Sequence, residues 1–254
     1  MLKKFSADSD PHLVSLLVTY EQYRRFYLVF HWAEANLQDY WENKNPTPRV
    51  DYETILWMAQ QCKGIAGALY KIHPYESYSI PRTNLAPNDE GIPGHNLTIA
   101  GPHAPKTTTL FGRHCDIKPA NILWFQDPED VNGKGILKVT DIGLAERKPS
   151  RKAANTGFYR PPECDLDVEF VDSSYDIWTM GCLYLEFVTW LLGGWTLVEE
   201  FRLQRISFDR AIHMDTDTFF EIEEGTKQAK IKSSVTDVSC CFRNLHSEAY
   251  TSCF

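Results

Sequence analysis

The chain has 254 residues, enough for one large domain or two small ones with a sizeable buried core. Hydrophobic residues make up 43% and charged residues 24%, an ordinary globular composition. A formal net charge of -8 argues against broad attraction to nucleic acid or to an anionic membrane, but leaves room for a local phosphate site.

Seven cysteines without a C-x-x-C pair read as reduced thiols of an intracellular protein, cytoplasmic or nuclear, and not as a disulfide framework. Neither they nor the adjacent Cys240-Cys241 match a zinc spacing. The opening MLKKFSADSD turns polar at once, so no signal peptide is expected there. The most apolar stretch, GCLYLEFVTWLLGGW, is read as too short to span a bilayer; it carries Glu186 and is expected to be a buried helix.

In chain order, HLVSLLVTYEQ (12–22) and RRFYLVFHWAE (24–34) read as two strands of a hairpin, rich in Val, Leu, Phe and Tyr. LQDYWEN then begins a short helix. Asp51 can cap a longer one, YETILWMAQQCKGIAGALYKIH, with an apolar stripe at Ile55, Met58, Cys62, Ile65, Leu69 and Ile72. Residues 74–110 are rich in Pro, Gly, Asn, Ser and Thr and show no period, as an exposed insertion would. ILWFQ and ILKVTD read as a second hairpin, with a turn signal at Asn132-Gly133. A helix is expected around 175–192, followed beyond 195 by short helical patterns and a polar tail. This order favours an α+β architecture over an alternating βαβ sheet.

The chemistry concentrates in HCDIKPANIL, residues 114–123. Asp116 and Asn121 flank Lys118, and Asp141 follows at the end of an apolar strand. Two carboxylates and an amide supply the oxygen ligands that magnesium prefers, and a lysine beside them can neutralise a transferring phosphoryl group. These residue types suggest phosphoryl transfer. An isolated aspartate is more often a turn residue or a strand terminator; it is the joint arrangement that favours chemistry.

HCDIKPANIL resembles the catalytic loop of eukaryotic protein kinases, H-R-D-L-x-x-x-N. VTDIGLA is similar to the metal-binding D-F-G segment, TGFYRPPE to the segment ending in A-P-E, and SYDIWTMGCLYLEFVTWLLGG to the buried helix that follows. All four occur in the family's order. The whole reads most like fungal kinase-domain proteins with G-R-H-G-D-I-K-P-E-N-I-L-W-F.

The resemblance implies a protein-kinase-like fold, a mostly helical large lobe with a remnant of the small-lobe sheet. Residues 1–30 would hold the last small-lobe strands, and 31–254 the large lobe, with a loop insertion at about 74–110. It implies ATP and Mg2+ as cofactors and protein substrates phosphorylated on Ser or Thr, and leaves the oligomeric state open. Asp116 matches the catalytic aspartate, Lys118 the lysine that contacts the γ-phosphate, and Asn121 and Asp141 the magnesium ligands. Leu123 would lie under the adenine ring. LVFHWAE resembles the hinge, with Phe30 as gatekeeper and the His31 and Ala33 backbones facing adenine. Thr156 matches a threonine that contacts the catalytic loop, Glu163 the structural glutamate of A-P-E, and Asp176 a buried aspartate bracing the loop. His114 is expected to be structural.

Departures from the family pattern are Cys115 for Arg, Ala120 for Glu, Ile142 for Phe and Pro161 for Ala. No G-x-G-x-x-G precedes residue 30, and V-A-I-K is absent. The expectation is therefore a kinase domain shortened at the small lobe and at its far end. Two other functions compete: a pseudokinase that binds partners without catalysis, and a small-molecule kinase of the aminoglycoside or choline type, against which TGFYRPPE and SYDIW argue.

Overall fold

The structure, a computed structural model, describes residues 10–76, 109–111, 113–126, 133–141, 158–166, 173–210, 212–223, 225–226 and 228–238. The expected first hairpin forms from β1 (Leu16–Gln22) and β2 (Arg25–Phe30), antiparallel, with Tyr20 stacked on Tyr27 at 4.8 Å. Its two-residue turn puts Tyr23 and Arg24 at φ 52° and 60°, the left-handed pair that matches strand twist in tight hairpins. The strand begins later than the sequence suggests. Residues 12–14 turn instead to a distant strand, because Val139 N donates to His12 O at 2.7 Å and Val14 N donates to Val139 O at 3.0 Å.

A three-stranded sheet follows, of order β3 (Ala35–Asn36), β6 (Ile122–Phe125) and β7 (Ile136–Val139), all antiparallel. β6 and β7 are the expected second hairpin. Gly133 has the positive φ, 62°, that its turn signal calls for, whereas Asn132 lies outside the described residues.

After β3 come α1 (Leu37–Asp39), capped by the Asn36 side chain, and a π-helical turn, Tyr40–Lys44. The long helix α2 (Tyr52–Ile72) starts where expected: Asp51 accepts from Thr54 N at 2.9 Å and from Thr54 Oγ1 at 2.7 Å. Its buried face differs from the expected stripe. Ile55 is 44% exposed, while Trp57 and Gln61 join Ile65, Ala68, Leu69 and Ile72 inside. The reason is polar: Trp57 Nε1 donates to Gly135 O at 2.7 Å, and Gln61 Oε1 accepts from Leu137 N at 2.9 Å, so α2 completes the hydrogen bonding around β7.

Most of the expected insertion, residues 77–108, lies outside the described residues; its flanks pair as β4 (Pro74–Glu76) and β5 (Thr109–Phe111). The helix expected near 175–192 is longer, α3 (Ser174–Arg205). At Gly193-Gly194, just past the expected end, the helix kinks instead of stopping. Gly194 is at φ 69°, Trp195 N donates to Pro46 O at 2.8 Å, and the chain re-enters the helix. By length and composition α3 could cross a membrane, contrary to the expectation from its apolar stretch. In this fold Leu183 and Phe187 are fully buried, as expected of its core, whereas Trp178 and Leu185, expected there too, are half-buried; Tyr175 and Trp190 are also fully buried. Leu183, Phe187 and Trp190 meet α1, the π turn and α2 in an aromatic core, with Trp41 at 5.4 Å from Phe187 and Tyr40 at 5.0 Å from Trp124, while Tyr175 packs separately with Cys115.

Beyond α3 the expected short helices are replaced by two small hairpins, β8 (Ser207–Asp209) with β9 (Met214–Thr216) and β10 (Phe220–Ile222) with β11 (Ala229–Ile231), before residues 233–238 turn helical.

Candidate active site

The HCDIKPAN loop runs between β5 and β6, and its conformation is fixed from below by Asp176. This aspartate, in the first turn of α3, is fully buried. Its Oδ2 accepts from His114 N at 2.7 Å, and its Oδ1 accepts from Cys115 N at 2.9 Å. Two successive backbone N–H groups face one carboxylate because Cys115 is left-handed, with φ 64°. His73, where α2 ends, adds its Nε2 at 3.0 Å from Oδ2. The buried charge is thus paired and hydrogen-bonded, the only economical way to keep one inside. Asp176 braces the loop as the sequence led one to expect; His73 did not appear in that reading.

His114 is fully buried and structural, as expected. Its Nδ1 accepts from Asp116 N at 3.3 Å, which places the ring proton on Nε2, donated to Thr140 O at 2.6 Å. Thr140 N in turn donates to Asn121 O at 3.1 Å. The residue before Asp141 is therefore tied to both ends of the loop. Asp141 is exposed and left-handed, φ 62°, where the strand has ended.

Asp116, Lys118 and Asn121 come together on the loop. The 3-10 turn Pro119–Asn121, closed by Asn121 N donating to Lys118 O at 2.9 Å, folds the amide back over the aspartate. Asn121 Nδ2 donates to Asp116 O at 2.9 Å and to Asp116 Oδ2 at 2.6 Å. Lys118 Nζ stands 3.0 Å from Asp116 Oδ1 as an ion pair, without the alignment of a hydrogen bond. Oδ1 is buried and free of hydrogen bonds, so its lone pairs remain able to accept one. Both of these bonds come from the Asn121 nitrogen, so neither occupies its carbonyl oxygen. That polarity suits an oxygen-liganded metal shared with the Asp141 carboxylate. Among the described residues no three His, Cys, Asp or Glu side chains form a metal cluster, so a metal here rests on that mixed amide–carboxylate set.

The expected hinge leads straight to this sheet. Phe30 ends β2 and is 39% exposed, His31 is exposed, and Ala33 is half-buried. Glu34 N donates to Trp124 O at 3.2 Å, and Asn36 pairs with Leu123, so Leu123 lies beside the strand that the hinge enters. Thr156 and Ile142 lie outside the described residues.

Glu163 does not hold a buried ion pair among the described residues; it is half-buried and reaches Ser174 Oγ at 3.4 Å. The buried pairs of that region belong to other residues, of which the sequence reading had named only Glu186. Arg160, 1% exposed, binds Asp165 at 2.8 Å and also Asp209. Glu186 accepts from Arg205 Nη2 at 2.7 Å and from the Tyr159 hydroxyl. Burial raises the Glu186 carboxyl above its ordinary value, and burial with the neighbouring Glu186 raises Tyr159 well above its own. The charge of Glu186 inside an apolar helix was the one signal that could have found this cluster.

A family model for the protein kinase domain matches residues 112–246, more than half of the chain. Cyclin-dependent kinase 11 of Dictyostelium discoideum is 38% identical over 81 residues, covering 30% of this chain and 21% of that protein. CTD kinase subunit alpha of Schizosaccharomyces pombe is 40% identical over 82 residues, covering 30% and 13%. The chain thus matches about a fifth or less of the length of these relatives. The yeast RNA Pol II CTD kinase complex gives a TM-score of 0.45 at 20% identity, over 73% of this chain and 47% of that one, too slight a likeness to carry weight. On the match to the loop, the brace and the helices around them, the chain belongs to the protein kinase domain family, with the α+β kinase-like architecture expected of it.

Proposed function

We propose that the chain is the catalytic portion of a Ser/Thr protein kinase, moving the γ-phosphate of ATP to Ser or Thr hydroxyls of proteins. One observation carries this reading: the Asp116 carboxylate is clamped by Asn121 through Oδ2 and presents an unbonded Oδ1 beside Lys118. Oδ1 accepts the substrate hydroxyl proton, and Lys118 faces the phosphoryl group whose charge it neutralises. Asn121 and Asp141 would hold Mg2+, which when bound with ATP supplies charge neutralisation at the phosphates. Phe30, His31, Ala33 and Leu123 would form the adenine end of the site. Residues 1–30 correspond in this reading to the last strands of the small lobe and 31–254 to the large lobe. The cysteine usage suits a cytoplasmic or nuclear setting.

The test is transfer of labelled γ-phosphate to a generic Ser-containing protein substrate by the wild type and by Asp116→Asn. With neither G-x-G-x-x-G nor V-A-I-K within its sequence, the chain should turn over below the usual range of about 1–100 per second, and Asp116→Asn should remove even that. Equal transfer by both proteins would sink the reading. The same absent motifs favour a second reading, a partner-binding pseudokinase, which complete lack of transfer by the wild type would support.

A further inference from the structure

The β1–β2 hairpin is a sheet of two strands only, and every residue from Leu17 to Phe26 is exposed. Two paired strands are marginal in water unless something packs on them. The register sets Thr19 opposite Leu28 and Glu21 opposite Phe26, so the alternation of side chains gathers Phe26, Leu28 and Phe30 into one stripe along one face of β2. Phe26 is 78% exposed, and Leu28 and Phe30 are exposed as well.

The two ends of the stripe differ in chemistry. Its turn end presents Tyr23, 88% exposed, beside the exposed Arg24 and Arg25. Its other end presents Trp32, 89% exposed, and the exposed Glu34, whose Oε2 is held in place by accepting from Gln126 N at 3.0 Å. Scattered apolar residues on a surface are ordinary, whereas a continuous apolar stripe with polar ends marks a contact surface. A stripe that is basic at one end and acidic at the other is complementary to a reversed copy of itself.

We propose that this face is an interface between two copies of the chain, packed face to face and head to tail about a two-fold axis. A two-fold contact uses the same patch on both copies, so the patch has to fit itself. Running the two hairpins in opposite directions meets that condition. Leu28 then packs on Leu28 of the second copy at the axis, and Phe26 packs on Phe30. The Arg24 end of each copy lies over the Trp32 and Glu34 end of the other, where an arginine stacks on the indole and pairs with the carboxylate. Side-by-side packing in the same direction would instead bring the arginines of both copies together, which like charge disfavours. The six residues of β2 are roughly 20 Å long, so the stripe alone covers less than the about 800 Å² that each partner of a stable dimer usually contributes. The end contacts therefore have to add to it, and the dimer should be of moderate strength, with a Kd on the order of micromolar. The interface makes no use of the catalytic loop, so it stands apart from the kinase reading.

The test is sedimentation equilibrium of the full chain without nucleotide, over about 1–100 µM, a range that brackets a micromolar Kd. The wild type should fit a reversible monomer–dimer equilibrium that weakens as salt is raised. Phe26→Gln should weaken the dimer about tenfold or more, and because Phe26 is exposed the variant should melt like the wild type. Tyr70→Ser removes an equally exposed aromatic from α2, 76% exposed, and should leave the dimer unchanged. Arg24→Glu and Glu34→Arg should each weaken it several-fold, and the two together should restore it, since only head-to-tail packing brings residue 24 of one copy to residue 34 of the other. Open-ended aggregation, a dimer indifferent to Phe26→Gln, an equal loss in Tyr70→Ser, or a double charge reversal that restores nothing would overturn the proposal. So would a chain that stays monomeric throughout, even one whose hairpin instead binds vesicles of phosphatidylserine and phosphatidylcholine.

Discussion

Replacing Asp176 by alanine perturbs the catalytic loop from beneath without touching a reacting group. The substitution strands the His114 and Cys115 N–H groups, now bonded at 2.7 and 2.9 Å, and frees His73. Hydrogen bonds to a charged acceptor contribute about 1.5–3 kcal/mol each, so two stranded donors in a fully buried pocket should cost about 3–6 kcal/mol. That is a large share of a typical folding free energy of about 5–15 kcal/mol. For a chain of this size it corresponds to a drop in melting temperature of roughly 6–24 °C. Asp176→Asn should lose less, because the amide oxygen still serves one of the two donors. Urea unfolding measures the cost, and hydrogen exchange at the His114 and Cys115 amides shows where it falls. A loss within about 0.5 kcal/mol, the range of ordinary surface changes, with both amides still protected, would refute the brace.

Other substitutions test the remaining parts. Asp116→Asn should lower phosphate transfer by about 10²–10⁴-fold and leave the melting temperature nearly unchanged, because the amide oxygen still accepts from Asn121 and the partly exposed ion pair to Lys118 contributes little. Gly194→Ala should destabilise the fold by more than about 1–2 kcal/mol, because the position is left-handed at φ 69° and the new Cβ would lie 2.3 Å from Pro46 O; a neutral effect in urea unfolding would mean that the kink is not held by that contact. Burial pushes the Cys62 thiol up from 9.0 to about 12. The folded chain therefore keeps a proton that the unfolded chain releases, so stability should fall as pH rises from about 9 toward 12, with a smaller fall in Cys62→Ala; a pH slope identical in the two proteins would contradict this. The same shift implies about a thousandfold less thiolate at Cys62 than at an unperturbed thiol, so alkylation near neutral pH should wait on unfolding.

What the sequence made legible was what is local in it. The Val, Leu, Phe and Tyr runs of 16–30, the Asp51 cap and the glycine turn before β7 each act over a few residues, and each appears in the structure. Asp116, Lys118 and Asn121 were legible for the same reason, since one 3-10 turn brings them together. The misses are long-range. The helix expected to end near 192 runs on past Gly194, because Pro46, far upstream, supplies the carbonyl that bridges the kink. Gln61 looks like a surface residue until the backbone of Leu137 needs its oxygen. The strands after 205 are three residues long and carry no period, so nothing marked them. His73 and Thr140 support the site only through contacts across the chain, to Asp176 and His114. For Glu186 the charge was visible, but the partners Arg205 and Tyr159 were not.

The most direct test of a working nucleotide site is the melting temperature with and without Mg-ATP, for the wild type and for Asp141→Ala. A ligand at about 100 times its Kd that binds only the folded state adds roughly 2.7 kcal/mol. The account predicts a magnesium-dependent rise in the wild type that is lost in Asp141→Ala, whose exposed carboxylate makes no hydrogen bond or ion pair among the described residues. A cooperative melt that Mg-ATP leaves unmoved, or an equal rise in both proteins, would contradict it.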